Sequence, residues 1–291
     1  MFNLPETHFN FGGDEYIYAE ISRDMRIESN FKAIAVTEEL RKRGIPGVID
    51  IVSSNASYLV RYNPDIVSAR DLLDYLKEID LTKSNPEKLN LSVRIVEIPA
   101  WYDDPVSREY SMRFKSRHPA PDLTDFEYVM KVNGFTDKES FIKSHSETPY
   151  LITMVGFLPG TGWHFPLGLQ PNEIIQAPKY NSPRTETPER GIGLGGAFNV
   201  IYPVNGPGSY QLIGRSAIPL VDKTNPLEET SFLARPGDIW KYRPVKESEY
   251  NEIESSVRAG TYHNKVKEID LSPLEYVQKG KKYIDELMED F

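Results

Sequence analysis

Cysteine is missing altogether from the 291 residues of this chain. That excludes disulfides, thiolate nucleophiles and Cys-ligated zinc, so any chemistry falls to oxygen, nitrogen and backbone groups. Long apolar runs are missing as well. No window approaches the roughly 18 residues of a membrane span, and the opening MFNLPETHFNFGGDEYIYAE has neither a basic nor an apolar leader region. A cytoplasmic location with no membrane partner is the expectation. Positive charge is in deficit: a formal net charge of -9 argues against a nucleic-acid partner, which needs a concentrated basic face. There is no Gly-x-Ser-x-Gly elbow and no P-loop, so a self-contained serine hydrolase or ATP-binding enzyme is not expected. Asp103-Asp104 has no further carboxylate or His at ligand spacing, so no metal site is assigned.

What is present is a globular chain, 39% hydrophobic and 26% charged. Its first part alternates between strand and helix patterns: strands at 16–21, 47–53 and 58–62, a helix from Phe31 to Arg43 ended by Gly44 and Pro46, and a second helix after the cap Ser68. With a last strand from Ser92 to Ile98, these elements predict a small α+β unit of split βαβ type over residues 1–99. Residues 100–134 are mostly polar with one helix, Asp125 to Val132 capped by Thr124, and Thr136 with Glu139 forms a capping-box pattern for the next. From Tyr150 to Pro244 short apolar runs broken by Gly and Pro (LITMVGFLPG, GIGLGGAFNVIYPV, YQLIGR, IPLV, IWKYRPV) predict a small β-barrel or sandwich. Residues 246–291 form a charged tail closed by a helix over 273–287.

One stretch carries more chemistry than the rest. APKYNSPRTETPERGIGLGGAF, residues 177–198, crowds Lys179, Arg184 and Arg190 against a glycine run, a composition that suits an anionic ligand. The backbone amides of Gly191, Gly193, Gly195 and Gly196 are candidate donors to a developing oxyanion, and glycines in strands also serve simply as bends. Asp-Asp-Pro at 103–105 reads either as a pair of orienting carboxylates or as an ordinary turn. His145 reads as a proton carrier or, more commonly at the start of a strand, a structural hydrogen-bonding residue; His8, His118 and His263 sit in polar surroundings.

HSETPYLITMVGFLPGTGW, PRTETPERGIGLGG, YPVNGPGSYQLIGR and RPGDIWKYRPV together resemble the allophanate hydrolase subunit 1 family, which includes the Kip sporulation-kinase inhibitor and a 5-oxoprolinase subunit. WYDDPVSREY and KYNSPRTETPERGIGLGGAF with GPGSYQLIGR also resemble the carboxyltransferase domain of urea carboxylase. The resemblance implies an N-terminal ferredoxin-like unit followed by a cyclophilin-like β-barrel over residues 100–245. It further implies a carboxyltransferase component of a biotin-dependent carboxylase, transferring carboxylate from carboxybiotin to a small amide, amine or carbon acid. On this reading Lys179, Arg184 and Arg215 lie near the carboxylate, with Asp103 and Asp104 orienting substrate or cations. Trp163 with His164 forms a face for the biotin ring, and Tyr210 and Gln211 reach the same hollow. No Ala-Met-Lys-Met biotinylation segment or ATP-grasp pattern is present. Biotin therefore arrives on a separate carrier chain, ATP is used only by a partner subunit, and a biotin carboxylase and a homologous second barrel subunit complete the complex. Tyr102-Asp103-Asp104-Pro105 looks like the urea carboxylase form, whereas Gly156 to Gly160, GFLPG, looks like the free-standing subunits. A 5-oxoprolinase subunit and a non-enzymatic histidine-kinase inhibitor are the other two functions the resemblance admits.

Overall fold

The computed structural model describes residue 4, residues 6–223, residues 231–289 and Phe291. The leader reading therefore lies in part, at residues 1–3 and 5, outside the described residues, as does residue 290 of the tail. Contacts divide the chain into two units, one running to Val93 and taken up again at Glu268–Glu289, the other spanning Arg94–Lys267 with the last two residues. This departs from the expected boundaries at 99 and 245. The 246–291 tail is no separate element, because its first helix belongs to the second unit and its last two to the first.

In the first unit, strands β1 (His8–Gly12) and β2 (Tyr16–Glu20) are followed by α1 (Ile27–Arg43), β3 (Val48–Ser53), β4 (Ser57–Tyr62) and α2 (Ala69–Thr82). The sheet order is β1-β2-β4-β3, with all neighbours antiparallel. The strand expected at Ser92 is absent from this sheet, and β1 is its additional strand. A hairpin through Gly13, whose φ is +64, brings β1 beside β2 with almost no loop to close. Ile17, Ala19, Val60 and Tyr58 meet Val36, Leu40, Leu72 and Leu76 in the core. Helix α1 begins before Phe31 because Ser29 and Asn30 are buried polar residues, and Asn30 donates to the Ser54 carbonyl at 3.0 Å. Apolar periodicity could not show that turn.

In the second unit, β5 (Leu91–Tyr102) leads into α3 (Pro105–Arg113), α4 (Asp125–Val132), α5 (Lys138–Glu147), β6 (Pro149–Val155), β7 (Gly162–Pro166), β8 (Arg184–Thr187), β9 (Gly191–Gly195), β10 (Phe198–Ile201), β11 (Gly206–Gly208), β12 (Gln211–Ser216), β13 (Ile239–Pro244), α6 (Glu247–Arg258) and β14 (Val266–Leu271). Seven strands run β12-β9-β10-β7-β6-β13-β5, and a β12–β5 pairing at Arg215↔Trp101 closes them into a barrel, with β14 alongside β5. The strand read at Ser92 to Ile98 is thus a barrel strand, paired parallel to β13 from Ile95↔Ile239 onward. The tail helices α7 (Pro273–Lys279) and α8 (Lys281–Met288) are two, not one, because Gly280 has φ +56 between them. Helix α5 is capped by Asp137, which accepts from the Ser140 amide, rather than by Thr136. Within the polar stretch read as holding one helix, residues 105–113 form α3, and Asp-Asp-Pro at 103–105 opens it: Asp104 accepts from the Val106 and Ser107 amides, and Pro105 stands at the first position, where no N–H is needed.

The barrel interior holds a buried polar group among its apolar residues. Nδ1 of His145 lies 2.8 Å from the Tyr102 hydroxyl, and Nδ1 of His164 lies 2.9 Å from that of Tyr242. The opposite Nε2 atoms, together with Asn199 Oδ1 and Trp240 Nε1, find no hydrogen bond of good geometry among the described residues. Burial lowers His145 to about 4, against a smaller upward pull from Asn199, and lowers His164 to about 3, with His145 adding to the effect. Both rings are neutral in the folded protein while unfolded histidines titrate near 6.5. Stability is therefore complete above about pH 6.5 and falls as acid protonates the unfolded chain first. Melting followed by circular dichroism should show a fall of about 5–10 °C between pH 7 and pH 4.5, with a shallower slope in His164→Gln.

Candidate functional site

Helix α4 begins with a capping box between Thr124 and Glu127, which leaves the next residue, Asp125, facing inward and fully buried. Its Oδ1 accepts from Ser111 Oγ at 2.6 Å and from the Tyr180 hydroxyl. Its Oδ2 accepts from Arg184 Nη1 at 3.2 Å and from the Leu212 amide at 2.7 Å. Arg184, itself 0% exposed, donates Nη2 to the Tyr210 carbonyl at 2.8 Å and stacks over the Tyr180 ring. Burial and the Asp125 charge raise the Tyr180 hydroxyl pKa. His118 extends the group: Nε2 is 2.8 Å from Gln211 Oε1, and Nδ1 lies 2.9 Å from the Ala120 amide nitrogen and 2.8 Å from its carbonyl oxygen. Gln211 Nε2 in turn donates to the Pro178 carbonyl at 2.7 Å.

These bonds pin the segment that carries Lys179. Ala177 exchanges both backbone bonds with Gly196 and the Tyr180 amide donates to Ser209. The Asn181 amide donates to Arg117. Lys179 is exposed, and its ammonium stands 5.0 Å from the centre of the Tyr210 ring, a favourable cation–π position. Trp163 and Phe198, both half-buried, complete the face. The Trp163 ring meets Tyr210 edge-on at 5.7 Å and Phe198 at 6.0 Å, while its Nε1 donates to the Gly156 carbonyl at 3.2 Å.

The glycine run explains this seat rather than an amide cradle. A Cβ on Gly195 would lie 2.4 Å from the Tyr210 ring, and one on Gly193 2.9 Å from Tyr210 Cβ. Both residues sit in β9, which is paired on one side with β10 and on the other with β12, so their backbone belongs to the sheet. The Gly191 amide donates to Pro188 and that of Gly196, where φ is +60, to Ala177. Two of the four amides expected to receive an oxyanion, those of Gly191 and Gly196, are thus engaged within the fold.

The three expected cations do not share one hollow. Arg184 is sealed in the interior and neutralises Asp125, so it does not clamp a ligand, and Gln211 is equally buried. His164 and Trp163, adjacent on β7, point to opposite sides as strand pleating requires, with His164 inside the barrel; they form no common face. Arg215 lies near the far end of β12, five residues after Tyr210, which immediately precedes the strand. There it lines a separate cavity of about 1140 Å³ with Arg190, Lys223, Glu189, Glu254 and Tyr262. Asp104, buried beneath, approaches Arg215 Nε at 3.2 Å without the angle of a hydrogen bond, and Arg215 Nη2 donates to the Tyr250 hydroxyl at 2.8 Å. Burial raises the Asp104 pKa, opposed by Ser107 and by Arg215. Asp103 turns elsewhere, with φ +52, and pairs with Arg108 and Lys138. Of the sequence candidates, the structure brings together Lys179, Trp163 and Tyr210 over Gly193 and Gly195. The residues that sequence reasoning missed are Asp125, Ser111, His118 and Tyr180; the only local signal was the capping box next to Asp125.

The second unit is thus a closed seven-stranded barrel, and the first a separate helix-backed sheet. The chain belongs to the family described as "Carboxyltransferase domain, subdomain C and D", which matches residues 7–232. It is 24% identical over 280 residues to urea amidolyase of Saccharomyces cerevisiae, covering 94% of this chain and 15% of that protein. It is 28% identical over 253 residues to a 5-oxoprolinase subunit of Bacillus subtilis, covering 82% of this chain and 93% of that relative. The structure of the K. lactis urea amidolyase shares the fold over 97% of this chain and 17% of its own, with a TM-score of 0.79 at 22% identity. The chain thus spans only about one seventh of the urea amidolyase it matches. No described helix is long and apolar enough to cross a membrane.

Two substitutions check the geometry. Gly195→Ala should cost about 1–3 kcal/mol in denaturant unfolding, because the Tyr210 ring must move. Arg184→Met should cost about 3–5 kcal/mol by the same measurement, because it leaves the Asp125 carboxylate buried without its counter-charge.

Proposed function

We propose that this chain is the smaller carboxyltransferase subunit of a biotin-dependent carboxylase of urea-carboxylase type. Its substrates are carboxybiotin on a separate carrier and a small amide, amine or carbon-acid acceptor. The observation that carries this reading is the exposed Lys179 ammonium, held on a pinned segment above Tyr210, whose ring meets Trp163, which in turn meets Phe198. These residues fit a flat ureido ring bearing a carboxylate. The aromatic edges offer an apolar seat, and the ammonium has three donors and no carboxylate partner among the described residues. Carboxybiotin supplies the carboxyl group and the nitrogen that takes up charge as that group leaves.

The chain's own residues perform three tasks in this scheme. Lys179 holds the oxyanion, Trp163 and Phe198 exclude water from one side of the ring, and Tyr210 holds the ammonium in place. A full charge aimed at developing negative charge in a dry site is worth most when it does not have to reorganise. The face is open on the barrel's outer wall, which suits completion by a homologous second barrel subunit, with a biotin carboxylase and the carrier in the same complex and ATP used only there. Coverage of almost the whole chain by the urea amidolyase match supports the carboxylase type.

One observation favours a second reading, a subunit of an ATP-dependent 5-oxoprolinase: the chain matches a free-standing 5-oxoprolinase subunit over nearly that relative's full length. Co-expression of the chain with its second barrel subunit, biotin carboxylase and carrier separates the two. Acceptor-dependent ATP consumption that needs both bicarbonate and biotinylated carrier is expected, and Lys179→Ala should lower its kcat by about 100-fold. ATP-dependent release of glutamate from 5-oxoproline, with no biotin requirement, would overturn the carboxylase reading.

A further inference from the structure

We propose that Asp125 is a positioning residue for Lys179: through Tyr180, Arg184 and the Leu212 amide, its buried carboxylate sets the lysine-bearing segment and the Tyr210 strand in one fixed relation. The four donors to this carboxylate come from separate parts of the chain. Ser111 belongs to α3, Tyr180 and Arg184 follow Lys179 in sequence, and Leu212 follows Tyr210 by two residues on β12. Arg184 then bonds the Tyr210 carbonyl itself. Removing one carboxylate oxygen therefore loosens both the base of the lysine and the ring beneath its ammonium.

Energetics point the same way. A buried ion pair contributes little net stability compared with an apolar filling of the same volume, since both charges must be desolvated. Asp125 and Arg184 are each 0% exposed, so the arrangement is poorly explained as a device for stability alone. What it supplies is placement. Lys179 has four rotatable bonds and no ion-pair partner among the described residues, so the position of its backbone decides where its charge is delivered. A misplacement of about 1 Å at a reacting centre can cost on the order of 100-fold in rate. The consequence for catalysis rests on the carboxyltransferase reading above; the placement itself does not.

The test uses the full chain with its lysines reductively methylated with 13C. The Lys179 methyl resonance, identified by its disappearance in Lys179→Arg, should be shifted upfield by the Tyr210 ring current. In Asp125→Asn it should move to the position of solvent-exposed lysines. Tyr180→Phe, which keeps the ring and removes only the hydroxyl bond to Asp125, should move it part of the way and serves as the deciding variant if Asp125→Asn does not fold. In the assembled complex Tyr180→Phe should lower kcat about 10-fold with a smaller change in KM for the carrier. A Lys179 resonance unchanged in the variants that fold would overturn the proposal even if activity fell. A resonance that moves in a complex that carboxylates nothing would uphold the positioning and defeat the catalytic reading instead.

Discussion

The carboxylate of Asp125 is the constraint on which the outer face of the barrel depends. A buried anion must be paired and fully hydrogen-bonded or it destabilises the fold. Here the pairing draws together residues from α3, the 178–184 segment, β8 and β12. Because the partners are scattered along the chain, satisfying one group organises a surface none of them could build locally. His118 and Gln211 extend the same logic by tying the Pro178 carbonyl to the interior.

Barrel closure provides the frame for this network. The long β5 pairs with β13 from Ile95 to Ala100 and with β12 at its end, so a strand expected to complete the first unit closes the second. Closure places β9 between two neighbours, and a central strand with glycine at alternate positions leaves a shallow trough. The Tyr210 ring lies in that trough, and Lys179 lies over Tyr210. Sheet geometry, glycine spacing and the lysine are therefore parts of one arrangement. The same strand β12 leads away to Arg215, Asp104 and a different cavity, which is why two cations read as neighbours in function are separated in space.

Much of the fold was legible locally. Ser68 and Thr124 announce helix starts by hydrogen bonds within one turn, Gly44 ends α1 in the left-handed region, and the apolar runs of 150–244 mark most barrel strands. Some of the misreadings share a cause, a partner far away in sequence. The turn at Asn30 is hidden because its buried amide is satisfied by Ser54, 24 residues on. Asp-Asp-Pro read either as orienting carboxylates or as a turn, and the helix it opens escaped notice because that helix is polar along most of its length. The candidate site was legible as a region, through the cations and glycines of 177–198, but not as an assignment of roles within it.

The sequence by itself determined most of the helices and barrel strands, the absence of cysteine and the deficit of positive charge that restrict the chemistry, and the segment that reads as suited to an anion. Tertiary structure decided which of its cations meets solvent. Lys179, Arg184 and Arg190 lie within twelve residues, yet one stands over an aromatic ring, one is sealed against Asp125, and one pairs with Glu254. The physical reason is that burial and counter-charge are properties of the assembled interior: the free energy of a guanidinium depends on what surrounds it in space, and neighbouring residues in the chain specify little of that.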